Sequence, residues 1–234
     1  NVIDSAISHG VSKVVSLSTD KAVYPVNALG ITKALMEKVV EASARNLGEG
    51  ETVLTLVRYG NVLFSRGSVI PLFMKQIKEN NAISVTEPEM TRFLLPLKEA
   101  IDLVSFAIEK GRQGDIFVRK APSCLIGDLA QAVKNIFRSN SEIKTIGMRH
   151  GEKMYETLAS KGELLRSEDM GDYLRINIDD RDLNYNKYLN EGNIKTIKTE
   201  DYNSQNSVRM NVSEIEEMLL SQPEIISELK NRGS

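Results

Sequence analysis

The fold is indicated by the stretch Lys13-Val14-Val15-Ser16-Leu17-Ser18-Thr19-Asp20-Lys21. Its first part is a short β-branched apolar run, which is typical of a buried parallel strand, and its last residues are polar. Polar residues that leave the carboxyl end of such a strand lie where open α/β sheets bind ligands. The stretch therefore predicts an α/β sheet with a site directly after this strand.

A helix is predicted beyond Pro25. Its apolar positions recur at helical intervals, and its charged positions fall on the other face. The two sets are Ala28, Leu29, Ala34, Leu35, Val39 and Ala42 on one face, and Glu37, Lys38 and Glu41 on the other. Lys33 is then expected in the first turns of a helix that packs beside the strand end.

Strands and helices are predicted along most of the remaining chain. The predicted strands are 52–59, 83–86, 115–119 and 143–147, and the predicted helices are 67–79, 97–109, 128–137 and 213–230, the last interrupted by Pro223. Residues 200–207 are polar and aperiodic, which predicts a flexible arm.

Composition excludes several classes of protein. The 234 residues include 30 basic and 32 acidic side chains, with a net charge of −2, so there is no basic footprint for nucleic acid. The single cysteine, Cys124, makes no internal disulfide and fits a reducing compartment. No signal peptide and no apolar run near the ~20 residues of a membrane span are present, so a cytoplasmic location is expected. His9 and His150 are too isolated to indicate a metal site.

Four further motifs follow in order along the chain. They are Arg58-Tyr59-Gly60-Asn61-Val62, Arg66-Gly67-Ser68-Val69-Ile70-Pro71, Thr86-Glu87-Pro88-Glu89-Met90-Thr91-Arg92-Phe93 and Arg149-His150-Gly151-Glu152-Lys153. Together with Ser-Thr-Asp-Lys, they resemble the extended short-chain dehydrogenase/reductase family. Within it the chain is most similar to the inverting UDP-N-acetylglucosamine 4,6-dehydratases, also called capsular polysaccharide synthesis enzymes. Segments 168–173 and 180–185 resemble the C-terminal extension of that subgroup.

Two features depart from the family pattern. Most members carry a catalytic tyrosine where this chain has Leu29, whose side chain holds no titratable proton. The Gly-rich turn that binds the cofactor pyrophosphate is absent from the sequence. The chain therefore resembles the C-terminal two-thirds of such an enzyme.

The resemblance implies a fold and a domain organisation. We expect an α/β protein with a Rossmann-like parallel sheet, its N-terminal strands missing, and a smaller mixed α/β substrate-binding region. The corresponding ranges are 1–66 for the dinucleotide-binding part, 67–190 for the UDP-sugar-binding region, some elements of which return to the first sheet, and 191–234 for a C-terminal arm and helix.

The polar residues after the first strand suit sugar dehydration. Lys21 is the candidate base that removes the C5 proton, and Asp20 is the candidate acid for the departing C6 hydroxyl. Thr19 is expected to hydrogen-bond the C4 oxygen, and Lys33 to bind the cofactor ribose and place positive charge near that oxygen. Because Leu29 is inert, the C4 proton is expected to leave through Lys21 or through water near Lys33.

Binding roles follow from the resemblance. The expected cofactor is NADP, or NAD, and its predicted ligands are Ser18, Lys33, Tyr59 and Asn61. The predicted UDP-sugar ligands are Arg58, Asn61, Ser68, Val69, Arg92, Arg149 and Glu152. Plainer interpretations remain open: Arg58 and Asn61 as caps of a strand end, Arg92 and Arg149 as surface ion-pair partners, Val69 in helix packing, and Glu152 at a helix start.

The predicted function is 4,6-dehydration of UDP-N-acetylglucosamine with inversion at C5, in bacterial capsule or O-antigen synthesis. UDP-glucose 4-epimerase is the alternative enzyme, since it also oxidises C4, but it normally depends on the tyrosine that Leu29 replaces. A catalytically silent UDP-sugar-binding or assembly module is the alternative of another class. The family resemblance also implies a homo-oligomer, with a hexamer as one such assembly.

Overall fold

The computed structural model describes residues 1–178 and 200–232, so the motif at 180–185 lies outside the described residues. The helices are α1 (Val2–Ser8), α2 (Ala28–Arg45), α3 (Val69–Lys78), α4 (Leu97–Lys110), α5 (Ile126–Ile136), α6 (Lys161–Leu164), α7 (Val212–Leu220) and α8 (Pro223–Arg232). The strands are β1 (Lys13–Thr19), β2 (Val53–Tyr59), β3 (Asn61–Val62), β4 (Ile83–Val85), β5 (Thr91–Leu95), β6 (Ile116–Arg119), β7 (Ser123–Leu125), β8 (Ile143–Thr145), β9 (Thr157–Ala159), β10 (Ser167–Asp169), β11 (Tyr173–Ile176) and β12 (Tyr202–Asn203).

The chain forms two compact units that interleave along the sequence. Of the described residues, unit 1 comprises 1–59, 101–120, 157–178 and 200–202, and unit 2 comprises 60–100, 121–156 and 203–232. The later segments of each unit return to elements formed earlier in the chain. The functional ranges 1–66, 67–190 and 191–234 stay a prediction.

Unit 1 is built on a sheet with the strand order β1-β2-β6-β11-β10. Strands β1, β2 and β6 are parallel, and β11 and β10 add antiparallel neighbours. Pairing of β1 with β2 runs from Lys13 opposite Val53 to Thr19 opposite Tyr59, so both strands end together. The predicted α/β class with a parallel sheet is confirmed, and the polar residues after β1 lie at the carboxyl edge of this sheet.

Unit 2 packs helices against short strands. Its sheets are β3-β5-β7 and the parallel pair β4-β8. The core holds fully buried side chains from α3, α5, α7 and α8, among them Phe73, Leu129, Leu219 and Ile225. Pro223 begins α8, where its missing N–H costs no hydrogen bond, so the helical pattern of the C-terminus divides there.

Two predictions about local structure are wrong. The flexible arm at 200–207 is held in place, because Ser204 is fully buried and its N–H donates to the Glu156 carbonyl at 2.8 Å. On α2, the charged positions Glu37 and Glu41 are buried, whereas the apolar Leu35 and Val39 are exposed. The sequence pattern misjudged this helix because Glu37 is stabilised inside by a buried arginine, which a hydrophobic pattern does not register.

Candidate functional site

A buried carboxylate follows β1. Asp20 opens a 3-10 turn at Asp20–Ala22, and its side chain is fully buried. Its Oδ1 accepts hydrogen bonds from Lys21 Nζ at 2.9 Å and from Thr19 Oγ1 at 2.8 Å. Its Oδ2 is buried without a hydrogen-bond partner among the described residues. Since buried carboxylate oxygens are nearly always satisfied, this oxygen is suited to meet a bound group.

Lys21 and Asp20 form an ion pair in which Nζ lies 2.9 Å from Oδ1. Lys21 is partly exposed while Asp20 is buried, so the amine is the end of the pair that is open to solvent. The structure therefore brings an amine and a carboxylate together on adjacent residues, and their roles as base and acid stay a prediction.

Helix α2 presents Lys33 beside β1. Asn27 caps the helix, its side chain accepting a hydrogen bond from the Gly30 N–H at 2.9 Å. Lys33 Nζ donates to the Leu17 carbonyl at 2.9 Å, which fixes the amine against the strand that carries Asp20. Lys33 thus lies where the sequence places it, next to the strand end.

Leu29 occupies the position where most members of the family carry the catalytic tyrosine. The residue is 55 % exposed. Tyr24, a close neighbour in sequence, donates its hydroxyl to Asp201 at 3.2 Å. The predicted catalytic residues that the structure brings into contact after β1 are Thr19, Asp20 and Lys21.

A buried ion cluster lies behind these residues in unit 1. Arg58, 2 % exposed, contacts Glu37 through Nε at 2.7 Å and through Nη2 at 2.6 Å. The same guanidinium donates to Glu163 at 2.8 and 3.0 Å. Glu37 also accepts the Ser18 hydroxyl at 2.5 Å. The cluster joins the end of β1, the end of β2, α2 and α6.

The charges of this cluster stabilise one another. Burial alone would lower the pKa of Arg58, but the hydrogen bonds and charges of Glu37 and Glu163 raise it above its ordinary value. Burial alone would raise the pKa of Glu163, but Arg58 and the N–H and hydroxyl of Ser160 lower it to about 2. Arg58 and Glu163 are thus charged at neutral pH, and each depends on the buried partners around it.

These contacts bear on three predicted ligands. The Arg58 guanidinium and the Ser18 hydroxyl are directed at Glu37 and Glu163 rather than outward. Tyr59 is half-buried at the end of β2, where burial raises the pKa of its phenol. Sequence reasoning missed Glu37 and Glu163, because a carboxylate in an amphipathic helix normally indicates a solvated face.

Unit 2 contains a cavity of about 270 Å³. Its lining includes every predicted UDP-sugar ligand of this unit: Asn61, Ser68, Val69, Arg92, Arg149 and Glu152. Apolar side chains such as Phe73, Met90 and Leu129 complete the wall. A mostly apolar cavity with a few convergent polar groups is typical of a small-molecule site.

The polar groups that line this cavity differ in their hydrogen-bond partners. Asn61 Oδ1 and Ser68 Oγ are buried without a hydrogen-bond partner among residues 1–178 and 200–232. Arg92 donates to the backbone carbonyls of Thr91 and Lys153, both at 2.7 Å. Glu152 accepts the backbone N–H of Arg149 at 2.9 Å. The cavity therefore combines two buried polar atoms, Asn61 Oδ1 and Ser68 Oγ, with the side chains of Arg92 and Arg149. The two guanidinium groups suit a polar anionic ligand.

Within the described residues, no group of three or more His, Cys, Asp or Glu side chains is arranged to hold a metal ion. None of the described helices is both long and apolar enough to cross a membrane.

The fold and motifs define a family. The chain belongs to the polysaccharide biosynthesis protein family, which matches residues 1–178, and residues 179–225 match the C-terminal region of polysaccharide biosynthesis proteins.

Individual relatives are similar over nearly the whole chain. A protein of Rickettsia felis named UDP-glucose 4-epimerase is 54% identical over 231 residues, which cover 99% of this chain and 68% of the relative. The X-ray structure of Pen from Bacillus thuringiensis is 35% identical with a TM-score of 0.81, covering 94% of this chain and 66% of that one. The chain thus spans about two-thirds of the length of both.

A more distant solved structure shares the fold. The dTDP-glucose 4,6-dehydratase DesIV of Streptomyces venezuelae, solved with NAD bound, has a TM-score of 0.60 at 17% identity, covering 65% of this chain and 53% of that one. At this identity the likeness concerns the fold alone.

Proposed function

We propose that this chain is the larger part of an NADP- or NAD-dependent UDP-N-acetylglucosamine 4,6-dehydratase that inverts C5. The observation that carries the proposal is the Asp20–Lys21 pair, in which one carboxylate oxygen holds the lysine amine at 2.9 Å and the other is buried without a partner among the described residues. Elimination of water across C5 and C6 needs a base and an acid side by side. Epimerisation at C4 needs no such pair.

The proton balance of the reaction fits these residues. Two protons leave the sugar, one from the C4 hydroxyl and one from C5, and two protons are added, one to the departing C6 oxygen and one to C5. Lys21 takes the C5 proton and Asp20 donates to the C6 oxygen. Water supplies the proton that is added to the opposite face of C5 and takes up, directly or through Lys21, the proton of the C4 hydroxyl. Proton transfer from Lys21 to Asp20 along their hydrogen bond then restores the starting pair.

Lys33 and Thr19 are suited to the C4 end of the sugar. A nicotinamide held beside these residues would supply the reversible hydride acceptor that oxidation at C4 requires. The Lys33 amine beside β1 and the unsatisfied Asp20 oxygen fit such a neighbour, whereas the Gly-rich turn for the pyrophosphate is not in this sequence. Thr19 hydrogen-bonds the C4 oxygen, and with Leu29 inert the C4 proton leaves through Lys21 or through water near Lys33.

The UDP moiety is assigned to the unit 2 cavity. Arg92 and Arg149 bind the diphosphate, because a guanidinium makes bidentate contacts with phosphate. Ser68 and Val69 line the uracil, Asn61 binds through its unsatisfied amide oxygen, and Glu152 binds the ribose hydroxyls. We revise one role: Arg58 acts as the centre of the buried ion cluster rather than as a substrate ligand.

UDP-glucose 4-epimerase is the second candidate, because the Rickettsia relative at 54% identity carries that name. The two activities differ in product. Dehydration yields a 4-keto-6-deoxy sugar and water, whereas epimerisation yields the C4 epimer with its C6 hydroxyl intact.

The deciding experiment follows both products by NMR. The 234-residue chain, and a form extended at the N-terminus by the part of the relatives it does not cover, are incubated with UDP-N-acetylglucosamine or UDP-glucose and NADP or NAD. A 4-keto-6-deoxy product supports the dehydratase, and a C4 epimer would replace it with the epimerase. No product from either form, with UDP-sugar still bound, would leave a binding or assembly module.

The proposal extends to the setting of the enzyme. We place it in the cytoplasm, in capsule or O-antigen polysaccharide synthesis, as a homo-oligomer that includes the hexamer among its expected assemblies. The exposed apolar face of α2, formed by Ile31, Leu35 and Val39, supports association, since monomers rarely expose such stripes. Light scattering of the chain and of Leu35→Glu tests this: the substitution is expected to lower the measured mass.

A further inference from the structure

Ser204 is a fully buried serine in the segment that precedes α7. Its hydroxyl lies 2.8 Å from the Thr91 hydroxyl and 3.1 Å from the Thr91 carbonyl, and it accepts the Glu156 N–H at 3.0 Å. Its own N–H donates to the Glu156 carbonyl at 2.8 Å. Ser204 therefore joins the segment that contains Thr91 to the segment that contains Glu156. These two residues are 65 positions apart in sequence (156 − 91).

Both segments carry residues of the unit 2 cavity. Thr91 begins β5 and is followed by Arg92, and Glu156 ends the loop that carries Arg149 and Glu152. The segments also bind each other, since the Thr91 N–H donates to the Met154 carbonyl at 2.9 Å. Ser204 lies at the junction of these contacts.

The direction of Arg92 depends on the same junction. Its guanidinium donates to the carbonyls of Thr91 and Lys153 at 2.7 Å and to that of Met154 at 3.3 Å. All three carbonyls belong to the segments that Ser204 joins. A shift of the 153–156 loop relative to β5 would therefore turn Arg92 away from its present direction.

We propose that Ser204 is a positioning residue of the nucleotide site: its hydroxyl keeps β5 and the 149–156 loop in register, so that Arg92 and Arg149 converge on the diphosphate of the ligand. The inference rests on the proposed function for the identity of that ligand. It makes the C-terminal region, matched as a separate family region over residues 179–225, a determinant of substrate affinity.

A matched pair of serines tests the proposal. Ser204→Ala removes a hydroxyl that joins the two segments, while Ser207→Ala removes a buried hydroxyl that has no hydrogen-bond partner among the described residues. UDP binding to the 234-residue chain is measured by calorimetry. We expect Ser204→Ala to weaken UDP binding about tenfold, which is about 1.4 kcal/mol, and Ser207→Ala to leave it unchanged.

A second pair of variants, at Thr91, is the control for misfolding of Ser204→Ala. Thr91→Val removes the hydroxyl that meets Ser204, and Thr91→Ser keeps it. We expect weakened UDP binding in Thr91→Val and near-normal binding in Thr91→Ser. In an active, N-terminally extended form, Ser204→Ala should raise KM for the UDP-sugar about tenfold while kcat stays within about twofold.

Hydrogen exchange separates the positioning role from the identity of the ligand. Ser204→Ala should lose amide protection in residues 149–156, and Ser207→Ala should not. Unchanged protection there, or equal UDP affinity in the two serine variants, would overturn the positioning role. Absence of UDP binding by the unsubstituted chain would overturn the assignment of UDP to this cavity, while the exchange measurement still decides whether Ser204 holds the loop.

Discussion

At the scale of single residues, the two carboxylate oxygens of Asp20 have different surroundings. Oδ1 is bound by Thr19 and Lys21, and Oδ2 is buried without a partner among the described residues. A buried acceptor in that condition is stabilised when a donor meets it. In the proposed reaction the Asp20 carboxyl faces a substrate oxygen while Lys21 stays within hydrogen-bond distance of it.

Asp20→Asn is expected to lower kcat for 4-keto product formation by about 10² to 10⁴, because the amide N–H is not an acid and Lys21 loses its carboxyl partner. Binding of UDP should be unchanged, since Asp20 does not line the unit 2 cavity. The measurement is NMR of the extended enzyme. The control is Asp172→Asn, which alters a surface carboxylate that pairs with Arg119; equal rates in the two variants would contradict the acid role.

Glu163→Gln is expected to reduce stability in a pH-dependent way. The pKa of Glu163 falls from its ordinary 4.5 to about 2 in the folded state, so the charged form contributes about 3 kcal/mol above pH 4.5. That contribution is lost as pH falls from about 4.5 toward 2. Urea unfolding should show the variant weaker at pH 7 and nearly equal to the unsubstituted chain near pH 2.

The matched control for this prediction is Glu49→Gln, at an exposed loop position. Its unfolding free energy should follow that of the unsubstituted chain at both pH values. A stability difference for Glu163→Gln that stays constant between pH 7 and pH 2 would show that the negative charge of Glu163 does not account for its stabilising contact with Arg58.

At this scale the sequence predicts where the candidate catalytic residues lie and misses what supports them. Thr19, Asp20 and Lys21 are at the end of a recognisable strand, and Lys33 lies in the second turn of the helix that begins at Ala28, so local pattern suffices to place them. Glu37 acquires its role only through Arg58, which is 21 residues away in sequence. Such a pairing depends on tertiary contacts and leaves no periodic signal.

At the scale of elements, α2 rests directly on the 3-10 turn that carries Asp20 and Lys21. A Cβ placed on Gly30 would lie 2.3 Å from the Lys21 carbonyl oxygen and 3.0 Å from Pro25 Cβ. Both obstacles are held by the main chain and cannot rotate away. The absence of a side chain at Gly30 therefore sets the distance between the helix and the candidate catalytic turn.

Gly30→Ala is expected to displace that turn, lowering stability by about 1–3 kcal/mol and product formation at least tenfold. Gly162→Ala in α6 is the matched control, because a Cβ there meets nothing within 4 Å and alanine favours a helix. Thermal unfolding and the NMR assay measure both effects. Gly30→Ala with unchanged activity would mean that the turn tolerates the shift.

Element prediction succeeds for the longer elements and for the short strands β4 and β8, but it misses β3, β7 and β9. The predicted strand at 52–59 and helix at 97–109 correspond closely to β2 and α4. Strands β3, β7 and β9 span two or three residues, which is too short for alternation to emerge. Their positions are decided by pairing with distant partners.

At the scale of the whole molecule, the C-terminal helices are part of the unit 2 core. Ile215, Leu219 and Ile225 are fully buried against side chains contributed by α3 and α5. The C-terminal helices therefore complete a core whose other buried members lie between Leu63 and Phe137.

Leu219→Ala is expected to lower the unfolding free energy by about 2–5 kcal/mol, because it opens a cavity in a fully buried position. Leu220→Ala alters the next residue of α7, which is 45 % exposed, and should cost less than about 1 kcal/mol. Urea titration followed by circular dichroism compares the two. Equal losses would show that α7 contributes no packed face.

The interleaving of the two units has a consequence for synthesis on the ribosome. Strand β2 leaves the exit tunnel long before its neighbour β6 is synthesised. The other neighbour of β6 is β11, which lies more than fifty residues further along the chain and is synthesised later still. Until then a parallel strand edge stays open to other nascent chains. Such late pairing favours slow folding after release over domain-by-domain folding during translation. The order in which the strands are synthesised therefore determines how long the nascent chain needs chaperones.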